Sequence, residues 1–327
     1  MRRRLCPHYS MENTMIKNAS VTDFIILGFS NHPNVNLIMF SAFLCVYIVI
    51  VLGNILIIVI IYFDPALHTP MYFFLRNLSF LDLSYISVTL PKMLANLLSD
   101  NKTISFASCA VQMFFFLFFG ITGCFLLACM AFDRYSAICN PLRYTVIMNK
   151  RPICSQLVIG AYICGSMNSM VQTSFTFSLH FCGSKKIDHF FCDVPPLLKL
   201  SCTDTYINQM VMFALSSLII GTTALIILIS YAYIICAVLQ TRSVAGRHKT
   251  FSTCTSHIMV VSIFYGTLAF MYVQPSWLAS PDKILYTVFT PLINPLIYSL
   301  RNKEVKEALG RALNKCMVFP QIRINSL

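Results

Sequence analysis

Apolar residues in this chain come in long blocks, not in the stripes of an amphipathic helix or the alternation of a half-buried strand. Leu37 to Phe63 carries no charge and holds the run VIVLGNILIIVIIYF. Met71 to Leu98 is a weaker block, interrupted by Arg76, Asp82 and Lys92. Ile104 to Phe132 runs 29 residues without a charge and ends on the adjacent acid and base Asp133 and Arg134. Pro152 to about Gln172, Thr205 to Thr241, Thr250 to about Tyr272 and Ile284 to Leu300 bring the number of blocks to seven. A block of roughly 18 or more apolar residues with few charges is long enough to cross a bilayer as a helix. The pattern therefore predicts an all-α membrane protein, a seven-transmembrane helix bundle spanning residues 35–300. A tail, 1–34, precedes it and a segment, 301–327, follows it. One connection is long, residues 173–205 or so, and it is rich in Cys and charge. No inverted internal repeat of the transporter kind is present.

Composition agrees with the pattern. The chain is 57% hydrophobic and 11% charged, against about 25% charged in a typical soluble domain. That excludes a water-soluble reading. The net charge of +12 is distributed unevenly. With the N-terminus outside, 14 of the 24 Lys and Arg fall on the cytoplasmic side, and the distal MRRR stretch is discounted because it lies far from any span. The basic charge is thus an inner rim facing anionic membrane lipid and a protein partner, and a nucleic-acid role has no support.

Of the 14 Cys, those at 45, 124, 129, 164, 236 and 254 lie within spans as small buried apolar residues. Cys109, Cys182, Cys192 and Cys202 lie in outer segments and read as two disulfides, with three pairings open. A metal site on Cys182, His189 and Cys192 is the rival reading of the same loop, since His-x-x-Cys is a ligand-like spacing. It is set aside because disulfides account for two of its three members, and no metal is expected. Asn18-Ala19-Ser20 is a glycosylation signal that requires a luminal tail. The basic start has no apolar stretch behind it, so no cleavable signal peptide is expected, and Met11 is an alternative start to Met1.

Seven helices with an outer N-terminus and DRY (133–135) at the inner end of the third suggest a rhodopsin-like receptor. PMYFFLRNLSFLD (70–82), MAFDRYSAICNPLRYT (130–145), SY (230–231), KTFSTCTSH (249–257) and PLINPLIYSLRNKEVKEAL (291–309) extend the match, with Gly53-Asn54 on the first helix. In this order they resemble the signature set of vertebrate odorant receptors, over residues 20–310 or so. The LGFSNHP entry and the short outer loop resemble the tetrapod-type subfamily. Phe132, Ser136 and Thr250 depart from the family's usual Tyr, Val and Ala, and the last two put coupling efficiency in question.

The resemblance implies a short amphipathic helix after the seventh span. It implies disulfides Cys109–Cys192 and Cys182–Cys202, the second pinning the loop on itself as a lid. It makes Asp133, Arg134, Tyr135, Tyr231, Asn294, Pro295 and Tyr298 a G-protein switch. In it Arg134 is held at rest by its neighbouring acid and by the sixth helix. It also makes Asp82, with Asn54 and Asn294, a polar hub in which a sodium ion is a candidate occupant; otherwise no cofactor is expected.

A ligand site follows partly from what is missing. VQMFFFLFFGITG in the upper third helix carries no acid for an amine, and the upper fifth, sixth and seventh helices carry no charge. The family's pocket positions map onto Phe116, Leu117, Gly120 and Ile121 on the third helix, and Leu215 and Ile219 on the fifth. On the sixth they map onto Tyr265, Leu268, Ala269 and Tyr272, and on the seventh onto Thr287 and Val288. Such a lining suits a small, neutral, mostly apolar volatile ligand. The partners implied are that odorant, a heterotrimeric stimulatory G protein that raises cAMP, membrane lipid and receptor-transporting accessory proteins. The location implied is the plasma membrane of olfactory cilia. A transporter or channel would want paired charges along a path, and Asp82 stands alone; no nucleophile and base share a site, so no enzyme is expected.

Overall fold

A computed structural model describes residues 22–27, 33–147, 151–182, 185–240, 244–273, 283–302 and 304–312. Helix α1, Pro33–Phe63, and helix α2, Pro70–Leu98, each begin on a proline, which costs nothing where the first N–H groups have no helical acceptor. Helix α3, Phe106–Cys139, starts at Ser105, whose hydroxyl accepts the Ser108 N–H at 3.2 Å. It stops before Asn140 because Pro141 follows, and a residue preceding proline is pushed out of the α region. Short α4, Pro141–Ile147, leads to α5, Arg151–Phe177. After the long loop, with its short α6 (Val194–Leu198), come α7, Tyr206–Gln240, α8, Val244–Val273, and α9, Lys283–Arg301.

The seven long helices match the seven apolar blocks. Among the described residues, Asn34–Phe63, Phe106–Cys139 and Tyr206–Gln240 are long and apolar enough to span a membrane by composition alone. The others carry polar residues that are turned inward, including Asp82, Gln172, His257 and Asn294. In lipid such groups must find partners inside the bundle. Helix α3 runs through the middle: 56% of its most apolar stretch is buried, against 11% for α7. Gly165 lets α5 close on it. A Cβ there would lie 3.1 Å from the Phe118 carbonyl and clash with the Thr122 hydroxyl. Small residues at such crossings are how membrane helices pack closely.

Two differences from the sequence reading stand out. The 1–34 segment is not a plain tail, since Asp23–Ile26 forms strand β1. It pairs antiparallel with β2, Thr103–Ser105, and parallel with β3, Lys186–Ile187. Phe24 and Ile26 are fully buried beneath the loop, with the Phe24 ring 5.4 Å from that of Phe181. The third apolar block also ends seven residues before its helix does: Asp133 and Arg134 close the charge-free run, while α3 continues to Cys139.

At the other end, residues 304–312 form helix α10, with Val305 and Ala308 buried and Glu304, Lys306, Glu307 and Arg311 exposed. This is the amphipathic helix expected after the seventh span. Arg311 pairs with Asp64 at 2.7 Å, and the Tyr72 hydroxyl donates to Glu304 at 2.6 Å and to Asn302 at 3.1 Å.

Candidate functional site

The outer half of the bundle holds a cleft of about 630 Å³, its mouth included. Phe116, Leu117, Gly120 and Ile121 of α3 form one wall, and Ile219 and Leu268 another, as the sequence reading expects. Tyr85, Cys124, Gln172, Met212, Ser216 and Ile220 complete the helical lining. Asp193 and Val194 come down from the loop. The aromatic stack is continuous. Tyr85 lies 5.0 Å from Phe116, and Phe116 lies 4.6 Å from Phe191 in the lid.

The lid is fastened by both disulfides the resemblance implies, Cys109–Cys192 and Cys182–Cys202. Gln112 adds a third tie: its amide oxygen accepts the Cys192 N–H at 3.0 Å and its Nε2 donates to the Val88 carbonyl at 2.9 Å. The rival metal reading fails, because both of its thiols are consumed and His189 Nδ1 lies 3.2 Å from the Phe191 carbonyl.

Several expected pocket residues lie elsewhere. Tyr265 does not line the cleft; its hydroxyl donates to Thr223 at 2.7 Å and clasps α8 to α7. Leu215 and Ala269 are not among the lining residues, and Val288 is buried in the packing between helices. Tyr272 and Thr287 have side chains outside the described residues, and Asn18 falls outside them altogether. The reading also missed the acid in the lining, because Asp193 belongs to the loop; its Oδ1 accepts the Val194 N–H at 2.8 Å.

Below the cleft, a smaller cavity shares Tyr85, Gly120 and Leu268 with it and reaches Asp82. There Asn294 donates to the Asp82 carboxylate at 2.7 Å. Pro295 has no N–H, so the Pro291 carbonyl one turn earlier loses its helical donor. Asn54 Nδ2 takes that place, at 3.3 Å. Gly53 makes room for it, since a Cβ there would sit 3.1 Å from the Pro295 ring. The paired motifs Gly-Asn and Asn-Pro are thus the two sides of one helix contact.

The inner end differs from the expected resting clamp. Adjacent residues on a helix do not face each other, and no hydrogen bond or ion pair joins Arg134 to Asp133. Asp133 instead accepts from the Tyr144 hydroxyl of α4 at 3.0 Å. Burial, and then the neighbouring Asp133 charge, push the Tyr144 phenol above its usual range. Tyr231 lies 2.6 Å from His257 Nδ1, with the rings stacked at 5.8 Å. Arg134 Nη2 and the Tyr298 hydroxyl are buried with no hydrogen-bond partner among the described residues. The sequence reading did not single out His257 or Tyr144, which hold Tyr231 and Asp133 at this end. The only sequence signal for them was their place inside KTFSTCTSH and NPLRYT, motifs quoted whole.

Comparison with known proteins gives the same picture. The crystal structure of squid rhodopsin is similar in fold, with a TM-score of 0.69 over 92% of each chain at 19% identity. Olfactory receptor 5I1 of Homo sapiens is 53% identical over 308 residues, covering 93% of this chain and 98% of its own. Olfactory receptor 5AP2 of Mus musculus is 52% identical over 308 residues, covering 92% and 97%. The family profile described as olfactory receptor matches residues 43–316. A seven-helix bundle with a disulfide-fastened lid, and a match over most of the length, lead to one assignment: the chain belongs to the olfactory receptor family, multi-pass membrane receptors that are not enzymes.

Proposed function

We propose that this receptor binds a small, neutral, mostly apolar volatile compound in the cleft between α3 and α7, and answers by activating a stimulatory G protein that raises cAMP. The observation that carries the reading is the cleft itself. Its walls are mainly aromatic and aliphatic, and its polar groups are few. Asp193, the acid among the described lining residues, belongs to the lid and caps α6, its Oδ1 accepting the Val194 N–H. Ser216 is the hydroxyl placed to meet an oxygen on the ligand.

Signalling in this reading exchanges partners at the inner end. Among the described residues Arg134 Nη2 and the Tyr298 hydroxyl lack hydrogen-bond partners, and an unpaired buried polar group costs roughly 1–3 kcal/mol. Movement of α8 away from α3 separates Tyr231 from His257 and lets Tyr231 and Tyr298 turn toward Arg134. The opened floor then admits a G-protein segment. At the hub, the Asn54 and Asn294 side-chain oxygens are buried without hydrogen-bond partners among the described residues, and Asn294 also holds the Asp82 carboxylate. Oxygen donors of this kind fit a hard cation such as sodium. The hub residues would hold the ion between α1, α2 and α9, where it would supply the positive charge that a buried carboxylate needs.

A panel of volatile compounds, assayed by cAMP in cells carrying the receptor, tests the reading. Neutral aliphatic and aromatic members should contain the agonists. Activation by charged amines or dicarboxylates alone would contradict it.

A further inference from the structure

A second opening lies outside the bundle, on the lipid-facing side of α2 and α3. It is a groove of about 1050 Å³, its open side included. Val111 and Phe115 on its α3 wall are 55% and 38% exposed. At one end the rim is polar, formed by Lys92, Thr103, Ser105 and Ser108. The apolar and polar parts are ordered by depth. Lys92 sits six residues before the end of α2 at Leu98, but its side chain reaches up to the Thr103 carbonyl, ahead of the start of α3. Val111 and Phe115 follow the start of α3 by five and nine residues, reaching progressively deeper into the bilayer.

The rim is equipped with donors. Lys92 Nζ donates to the Thr103 carbonyl at 2.8 Å, and an ammonium has three N–H bonds to give. Ser108 Oγ accepts from Ser105 at 2.8 Å, which leaves its own O–H to donate. No Asp or Glu lines the groove among the described residues. Gln112 at the floor is committed at both ends, to Val88 and to Cys192. We infer that this groove is a binding site for a single-chain lipid with an anionic head, a long-chain carboxylate. Its head meets Lys92 and Ser108, and its tail lies along Val111 and Phe115. Exposed apolar residues belong to any lipid-facing surface; the cation held above them, on a rim that carries no acid among the described residues, is what selects an anionic head. The site lies on the opposite face of α3 from Phe116 and Leu117, so it does not depend on which odorant the cleft takes.

The test uses the full-length receptor in phosphatidylcholine nanodiscs with a palmitate carrying a photoactivatable diazirine on its tail. Mass spectrometry of the digest should place adducts on the segment 107–115. Free palmitate should compete and palmitate methyl ester should not. Lys92→Gln should lower capture roughly tenfold, and Lys92→Arg should retain it. Because Lys92 also holds the Thr103 carbonyl, Val111→Trp serves as a second variant; it fills the groove without touching that bond and should abolish capture. Equal competition by acid and ester, adducts spread around the whole lipid-facing surface, or adducts confined to Met212 and Ile219 in the cleft would each overturn the inference.

Discussion

Asn54 of α1 gives its side-chain N–H to the Pro291 carbonyl of α9, 237 residues away, in place of the backbone donor that Pro295 cannot supply. Replacing Asn54 by Leu should leave that carbonyl unpaired in the bundle, at a cost of about 1–3 kcal/mol. The purified receptor should melt several degrees lower, and Asn54→Ser should recover part of the loss. An unchanged melting temperature in Asn54→Leu would mean that the proline kink is stabilised elsewhere.

Tyr144 holds Asp133 at the inner floor. Tyr144→Phe removes the donor and keeps the ring, so the acid is released while packing is preserved. Ligand-free cAMP should rise about two- to tenfold, the effect of 0.5–1.5 kcal/mol on a resting equilibrium. Basal signalling equal to that of the unaltered receptor would remove Tyr144 from the resting clamp.

How much of this was legible in the sequence depends on how local each signal is. Six of the seven spans were, because a charge-free block announces itself within its own residues, while the second, broken by Arg76, Asp82 and Lys92, was fainter. The α3 wall of the cleft was legible through the family resemblance, which mapped Phe116, Leu117, Gly120 and Ile121 onto one helix, where the lining has them. Strand β1 was not. Its four residues earn their burial only by pairing with segments about 80 and 160 residues away. Tyr265 was misplaced for the same reason: the partner of its hydroxyl, Thr223, sits on another helix. Asp193 and Val194 reach the cleft because two disulfides fold the loop inward, and helix positions alone carry no trace of that.

Tyr265 and Ser216 should therefore separate in function. Ser216→Ala should weaken oxygen-bearing agonists by up to about tenfold and leave hydrocarbons unaffected. Tyr265→Phe should shift both sets alike, because it loosens the clasp between α7 and α8 without touching ligand. Concentration–response curves for matched pairs, such as an alcohol and its parent alkane, decide the matter. Selectivity appearing in Tyr265→Phe instead would return that hydroxyl to the ligand site.

Cys182 and Cys202 close a segment of 20 residues, worth on the order of 3 kcal/mol in the chain-entropy view. Each single change to Ser should reduce surface delivery, and the double change should be no worse than either single, since all three variants lose the same bond. Flow cytometry on an N-terminal tag measures this. Additive losses would show that the two thiols act separately.

Gly120 lines both the cleft and the cavity beneath it. The nearest atom to a Cβ there is in the Tyr85 ring, at 3.8 Å, so a side chain can begin without a clash. A larger one must occupy the ligand's space. The most direct measurement is the cAMP response of Gly120→Phe to an agonist found in the volatile panel, taken at matched surface expression. If the cleft is the odorant site, the response falls at least about tenfold while ligand-free signalling stays in place. A concentration–response curve superimposable on that of the unaltered receptor would contradict the assignment of the cleft.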